Sequence, residues 1–205
     1  MARNTKENAA KTRQKILISA LDVILENGFA KTSLEQIAQS AEVTRGAIYW
    51  HFANKPDLFS ALLQEWIQPS NELAVTLLID QEPSLENLKQ FMVAWLSHME
   101  SNPVSHKLFD IIFFKVEQVG DIKALIDQIH TNANQDRQAL QLYLNELFSK
   151  GELTKQVDLS LLAISISAFL MGHAQNWLAR PDEYSLKQHA KALVNQFFAG
   201  YLPVK

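Results

Sequence analysis

Arg45, Gly46, Tyr49 and Trp50 stand close together in the stretch Thr32–Lys55, TSLEQIAQSAEVTRGAIYWHFANK. Their types suit contact with double-stranded DNA. An arginine near a helix start can fork onto guanine O6 and N7 in the major groove. Thr44, Tyr49, His51 and Lys55 carry donors for phosphate oxygens, contacts that set register without reading sequence. Trp50 offers apolar surface to a thymine methyl or to the sugar-phosphate wall. Gly46 costs about 1 kcal/mol of helix propensity relative to alanine. A chain tolerates that cost where another surface must lie close to the helix backbone. Thr32 and Ser33, at the head of the preceding segment, complete the candidate DNA-binding set.

Short helices must position these side chains. Thr32 and Glu35 have the spacing of a capping box, which predicts a helix from Ser33. Leu34, Ile37, Ala38 and Ala41 then recur on one face. Ala41-Glu42-Val43 reads as a turn, and Thr44 as the N-cap of a second helix. Val43 and Ile48 have the spacing of a hydrophobic staple. Rotation of about 100° per residue buries Ile48 and Phe52 and turns Gly46, Tyr49 and Trp50 outward. A solvated helix does not ordinarily expose such a face without a partner. Asn54 and Pro56 are placed to start a third helix, whose free N–H groups suit a phosphate.

A helix, a tight turn and a helix with this outer face resemble a DNA-reading helix-turn-helix. The segments TRQKILISALDVILENGFAKTSLEQIA and IAQSAEVTRGAIYWHFANKPDLF resemble the N-terminal domain of the TetR family of repressors. VTRGAIYWHF is most similar to the AcrR-like branch, which represses multidrug efflux pumps. The opening MARNTKENAAKTRQKIL resembles that branch too. The clear match covers roughly the first third of the chain. FDIIFFKVEQVGDI and NWLARP match more loosely. The resemblance implies a helix-turn-helix domain over 10–70, with its motif at 33–52. It also implies a ligand-binding and dimerisation domain over 71–205.

Composition is consistent with this. Apolar residues make up 47% of the 205 and charged residues 20%, ordinary for a globular chain. Net charge is −3, so bulk charge does not drive nucleic-acid binding. Its distribution is uneven. Residues 1–60 hold eight Lys/Arg against six Asp/Glu, while residues 61–205 hold eleven against sixteen. The most basic part is the opening arm, with Arg3, Lys6, Lys11, Arg13 and Lys15 against Glu7. A basic head on an acidic body suits a protein touching DNA at one end. There is no cysteine, which excludes disulfides, thiolate metal sites and cysteine nucleophiles. No apolar leader opens the chain, and the expected location is the cytoplasm. Leu159–Ala179 lacks Asp, Glu, Lys and Arg over nearly a bilayer's length, yet carries three serines, a histidine, a glutamine and an asparagine. A helix covered mostly by protein is the expectation, not a membrane span.

Patterning predicts about nine helices, no strands and an all-α fold. Helix one is expected over Glu7–Asn27 and ends at Gly28. Helix four runs from Lys55 to near Ile79 with a break at Pro69. Ser84 caps helix five, and helix six covers Ser105–Val119. Asp121 caps helix seven, Asp158 helix eight, and Ser185 helix nine, which runs to about Leu202. Helices eight and nine are the candidate homodimer interface. A single recognition helix reads few base pairs, and two copies read a palindrome with half-sites about 34 Å apart.

The C-terminal part is rich in aromatic residues and methionine. Trp66, Trp95, Met99, Phe109, Phe113 and Met171 are candidate walls for a small hydrophobic or amphipathic inducer, with His98, Asn134 and Gln175 to orient it. Taken singly, each is better explained as core packing. Glu65 and Glu117 are candidate acids for cationic ligands. The six histidines have no metal-binding spacing, so no metal and no cofactor is expected. No GxGxxG, Walker loop or GxSxG occurs, which argues against an enzyme. The alternatives are a TetR-type regulator of another pathway, such as metabolic or lipid genes, and a helix-turn-helix used for protein contacts.

Overall fold

The computed structural model describes residues 2–116, 123–154 and 156–203. Among them every regular element is helical. The nine α-helices are α1 (Ala2–Asn27), α2 (Leu34–Ser40), α3 (Arg45–His51), α4 (Lys55–Ala74), α5 (Leu85–Ser101), α6 (Pro103–Asp110), α7 (Lys123–Ser149), α8 (Leu159–Ala179) and α9 (Leu186–Phe198). α4 widens into a π segment over Val75–Ile79, and α6 into another over Ile111–Lys115.

Several boundaries differ from expectation. α1 starts earlier, at Ala2. α4 runs through Pro69 without a break. Proline's fixed φ is helical, so the helix loses one hydrogen bond and continues. α9 stops at Phe198, where Tyr201 N–H bonds the Phe198 carbonyl at 2.9 Å and turns the chain. The expected cap at Asp121 and the residue Glu117 lie outside the described residues. Caps at Ser84, Asp158 and Ser185 form as expected, each side-chain oxygen accepting the N–H three residues on.

The chain divides into two compact units, Met1–Ile67 with Val104–Ile126, and Gln68–Pro103 with Asp127–Lys205. In the first, Ile16, Leu17, Ala20, Leu21 and Ile24 form the buried stripe of α1. Ile37, Ile48, Phe52, Leu58, Phe59 and Leu62 are buried with them. α1 ends where Gly28 adopts φ +79° and its N–H bonds the Ile24 carbonyl at 2.8 Å. α6 belongs to this unit. Lys107 pairs with Asp22 at 2.5 Å, and Phe29 N–H donates to the Lys115 carbonyl at 3.2 Å.

In the second unit, α5 and α9 pack along each other, burying Leu88, Met92 and Leu96 with Ala190, Val194 and Phe198. Glu100 fixes their ends by accepting from the Ser185 hydroxyl at 3.0 Å and from Lys187 N–H at 2.7 Å. α8 buries Leu162, Ala163, Ile166, Leu170, Ala174, Trp177 and Leu178 on one side. Among the described residues no helix is long and apolar enough to cross a membrane.

Candidate nucleic-acid interface

The turn between α2 and α3 sets the geometry of the site. Ala41 closes α2, Glu42 takes φ +50°, Glu42 N–H bonds the Gln39 carbonyl at 3.0 Å, and Val43 N–H bonds the Ala38 carbonyl at 2.9 Å. That is a Schellman closure with glutamate where glycine usually stands. Glu42 is tied back to α1 by Lys15 at 2.9 Å. The hydrogen bond from Lys15, then its charge, holds the Glu42 carboxyl below its ordinary range. Thr44 then caps α3, its hydroxyl oxygen accepting Ala47 N–H at 3.1 Å.

Ile48 is fully buried, which anchors α3 and turns its other side outward. Trp50 is 72% exposed and Tyr49 43%. Gly46 is exposed, and a Cβ built there would meet only the Thr44 hydroxyl, at 3.9 Å. Nothing among the described residues therefore requires glycine at 46. Arg45 is exposed, lies over the Tyr49 ring at 5.6 Å, and reaches Glu35 at 3.2 Å. The Tyr49 hydroxyl donates to the same Glu35 carboxylate at 3.0 Å. A backbone N–H bond, the Tyr49 hydrogen bond and the Arg45 charge together hold the Glu35 carboxyl below its ordinary range. His51 stacks edge-on against Trp50 at 4.5 Å. Burial, then the nearby Arg13 charge, pushes its pKa down.

Three expectations are corrected here. The cap of α2 is Ser33, not Thr32. Ser33 Oγ accepts Gln36 N–H at 3.2 Å and Gln36 Oε1 accepts Ser33 N–H at 2.7 Å, so the box pairs Ser33 with Gln36. Thr32 is 3% exposed and its hydroxyl donates to the Gly28 carbonyl at 2.8 Å, which removes it from the DNA-binding set. Lys55 is not a free cation. Its ammonium donates to the carbonyls of Phe29 at 2.6 Å, Thr32 at 2.7 Å and Ala30 at 3.3 Å, and sits 4.4 Å over the Phe29 ring. Lys55 buckles the α1–α2 loop to the start of α4. Asn54 caps α4 as expected, accepting Asp57 N–H at 2.8 Å.

The ligand candidates scatter. Trp95 and Met99 are buried on α5, and His98 is half-buried there. Burial lowers the His98 pKa. Phe109 and Phe113 pair at 5.9 Å in the first unit. Nothing is described of the Trp66 side chain. Asn134 is exposed and accepts from Arg137 at 2.5 Å. Met171 and Gln175 lie on the exposed side of α8, away from its buried face. Glu65, a candidate for cationic ligands, is already paired with Arg13. Among the described residues no three acidic or imidazole groups come together to hold a metal.

The exposed side of α8 has its own pattern. Leu161, Ile164, Ala168, Met171 and Gln175 alternate three and four residues apart, with Gly172 beside them and nothing within 4 Å of its Cβ position. A cleft of about 440 Å³ opens along the same side, lined by Phe169, His173, Asn176, Tyr184, His189 and Leu193 among others.

Residues 16–62, which span α2, the turn and α3, match the family described as bacterial regulatory proteins, tetR family. Residues 83–202 match the C-terminal region of MAATS-type transcriptional repressors. The chain belongs to the TetR family of transcriptional repressors. This TetR-family repressor is 33% identical over 208 residues to the probable acrEF/envCD operon repressor of Escherichia coli K12, covering 99% of the chain and 92% of the relative. It is 29% identical to the regulator TtgR of Pseudomonas putida, covering 91% and 89%. Its fold superposes on NalD, the secondary repressor of the MexAB-OprM multidrug efflux pump in Pseudomonas aeruginosa. There the TM-score is 0.84 at 26% identity, over 96% of the chain and 98% of NalD. The family is one of DNA-binding regulators, not enzymes, and the match over residues 16–62 contains the outward Arg45–Trp50 face.

Proposed function

We propose that this repressor controls a multidrug efflux pump operon. In this reading it binds a palindromic operator as a homodimer through α8 and α9, and small amphipathic compounds release it. The observation that carries the DNA reading is the outer face of α3. Gly46 is exposed with room for a Cβ, and Trp50 is exposed with His51 edge-on against it, beside Arg45, Thr44, Tyr49 and Ser33. The pump reading is supported by near-full-length similarity to the acrEF/envCD repressor and by the fold shared with NalD. It places the protein in the cytoplasm with the chromosome.

The three-four stripe on α8 supports the dimer. Leu161 is 60% exposed, and a glycine in mid-helix with open space above it suits close approach of a second backbone. Met171 and Gln175 then belong to that interface. The remaining inducer candidates are Trp95, His98 and Met99 within the second unit and, separately, Phe109 and Phe113 within the first. An inducer acts only through its preference for the DNA-incompetent state.

The test is binding to DNA upstream of the gene itself, wild type against Tyr49→Ala. Wild-type protein binds one fragment with affinity that falls steeply with salt. Tyr49→Ala loses that binding with its helical content unchanged. Salt-independent binding, or full binding by Tyr49→Ala, overturns the reading.

A further inference from the structure

The carboxylate of Glu35 stands where a DNA reader would be expected to carry none. It lies in the first turn of α2, accepts a hydrogen bond from the Tyr49 hydroxyl at 3.0 Å and pairs in charge with Arg45 at 3.2 Å, both on the outward side of α3. Tyrosine has one proton to donate. With that proton on Glu35, the Tyr49 hydroxyl can only accept, and a phosphate oxygen offers it nothing. Arg45 keeps further donors, but its charge is already opposed by a neighbouring anion. Both groups have the chemistry to bind phosphate, and both are occupied by an internal anion of similar geometry.

We propose that Glu35 is a specificity-determining residue, a resident anionic competitor that DNA must displace before Arg45 and Tyr49 can bind. The inference rests on α3 being the DNA-reading helix. In water the exposed pair is weak, as such pairs are. Against a phosphate wall the carboxylate is desolvated beside like charge, which weakens binding to any duplex. On the right sequence a guanine edge offers Arg45 an uncharged two-point fork, O6 and N7, which repays the displacement of Glu35 without setting a second anion against its carboxylate as a phosphate does. Non-specific contacts are therefore suppressed more than specific ones.

The test uses full-length wild type and Glu35→Gln. Each is titrated with the duplex that wild type selects from a randomised pool and with a duplex of shuffled sequence and equal length. Glu35→Gln should bind the shuffled duplex about fivefold or more tightly than wild type. The slope of log K against log salt should steepen by about one per recognition helix engaged, as a freed cation neutralises one more phosphate. The gain on the selected duplex should be smaller, so that the ratio of specific to non-specific affinity falls. In an Arg45→Ala background the change in slope should vanish. Equal fold-changes on both duplexes, an unchanged slope, or a slope change that survives Arg45→Ala would overturn the inference while leaving α3 as the reader. Failure of wild type to select any duplex would remove both.

Discussion

At the scale of single residues, the DNA-reading proposal is tested at positions whose exposure the described contacts do not explain. Gly46 is the plainest. Its Cβ position is open, so Gly46→Ala should leave thermal stability unchanged or raise it by up to about 1 kcal/mol. The same substitution should weaken DNA binding at least tenfold, read by fluorescence anisotropy beside a melting curve. Lys55 shows the opposite pattern. With its ammonium on three carbonyls, Lys55→Met should cost about 2 kcal/mol in stability. Were Lys55 a phosphate ligand, melting would be unchanged and the salt slope would shift instead. Histidines set a pH dependence. His51, His98 and His173 all have pKa values lowered by burial from an ordinary 6.5. Below that value the unfolded chain binds more protons than the folded one, so folding stability should fall as pH drops through 6.5 toward 5. Melting temperatures across that range check the sign, and His98→Gln should flatten the slope.

At the scale of elements, α8 carries the sharpest expectation. Its exposed stripe should be covered by a second chain, so Leu161→Arg should convert dimer to monomer in sedimentation without loss of helical content. Much of this scale was legible from sequence. Helices α5, α8 and α9 announced themselves through Ser84, Asp158 and Ser185, because a capping side chain acts within three residues. The same local rule misplaced the start of α2. Thr32-x-x-Glu35 and Ser33-x-x-Gln36 both satisfy the spacing, and only burial of Thr32 against the Gly28 carbonyl chose between them. The π segment after α6 left no local signal. Lys55 and Glu35 could not be assigned their partners because those lie 23 and 14 positions or so away, on elements whose packing a spacing rule does not see. Which side of α8 carries Met171 and Gln175 is hidden from a spacing rule for the same reason. α8 is apolar almost all round, and sequence alone does not say which side meets its own unit.

At the scale of the whole molecule, two copies make one reader. A short recognition helix gains useful specificity only when a second presents the same face at a helical repeat of DNA. Inducer control then has a thermodynamic requirement. Whatever factor an inducer takes from DNA affinity, operator DNA must take from inducer affinity. Titrating an efflux substrate such as a lipophilic cation into free and DNA-bound protein should give dissociation constants that differ by that same factor. Equal constants would exclude release by that compound.

The central claim is that the outer face of α3, presented twice, reads a specific sequence. Selection from a pool of randomised duplexes tests it most directly, run in parallel with wild type and Gly46→Ala. Wild type should enrich an inverted repeat whose half-sites lie a whole number of DNA turns apart, and Gly46→Ala should enrich nothing. Failure of wild type to enrich any repeat, or enrichment of the same repeat by Gly46→Ala, would contradict it.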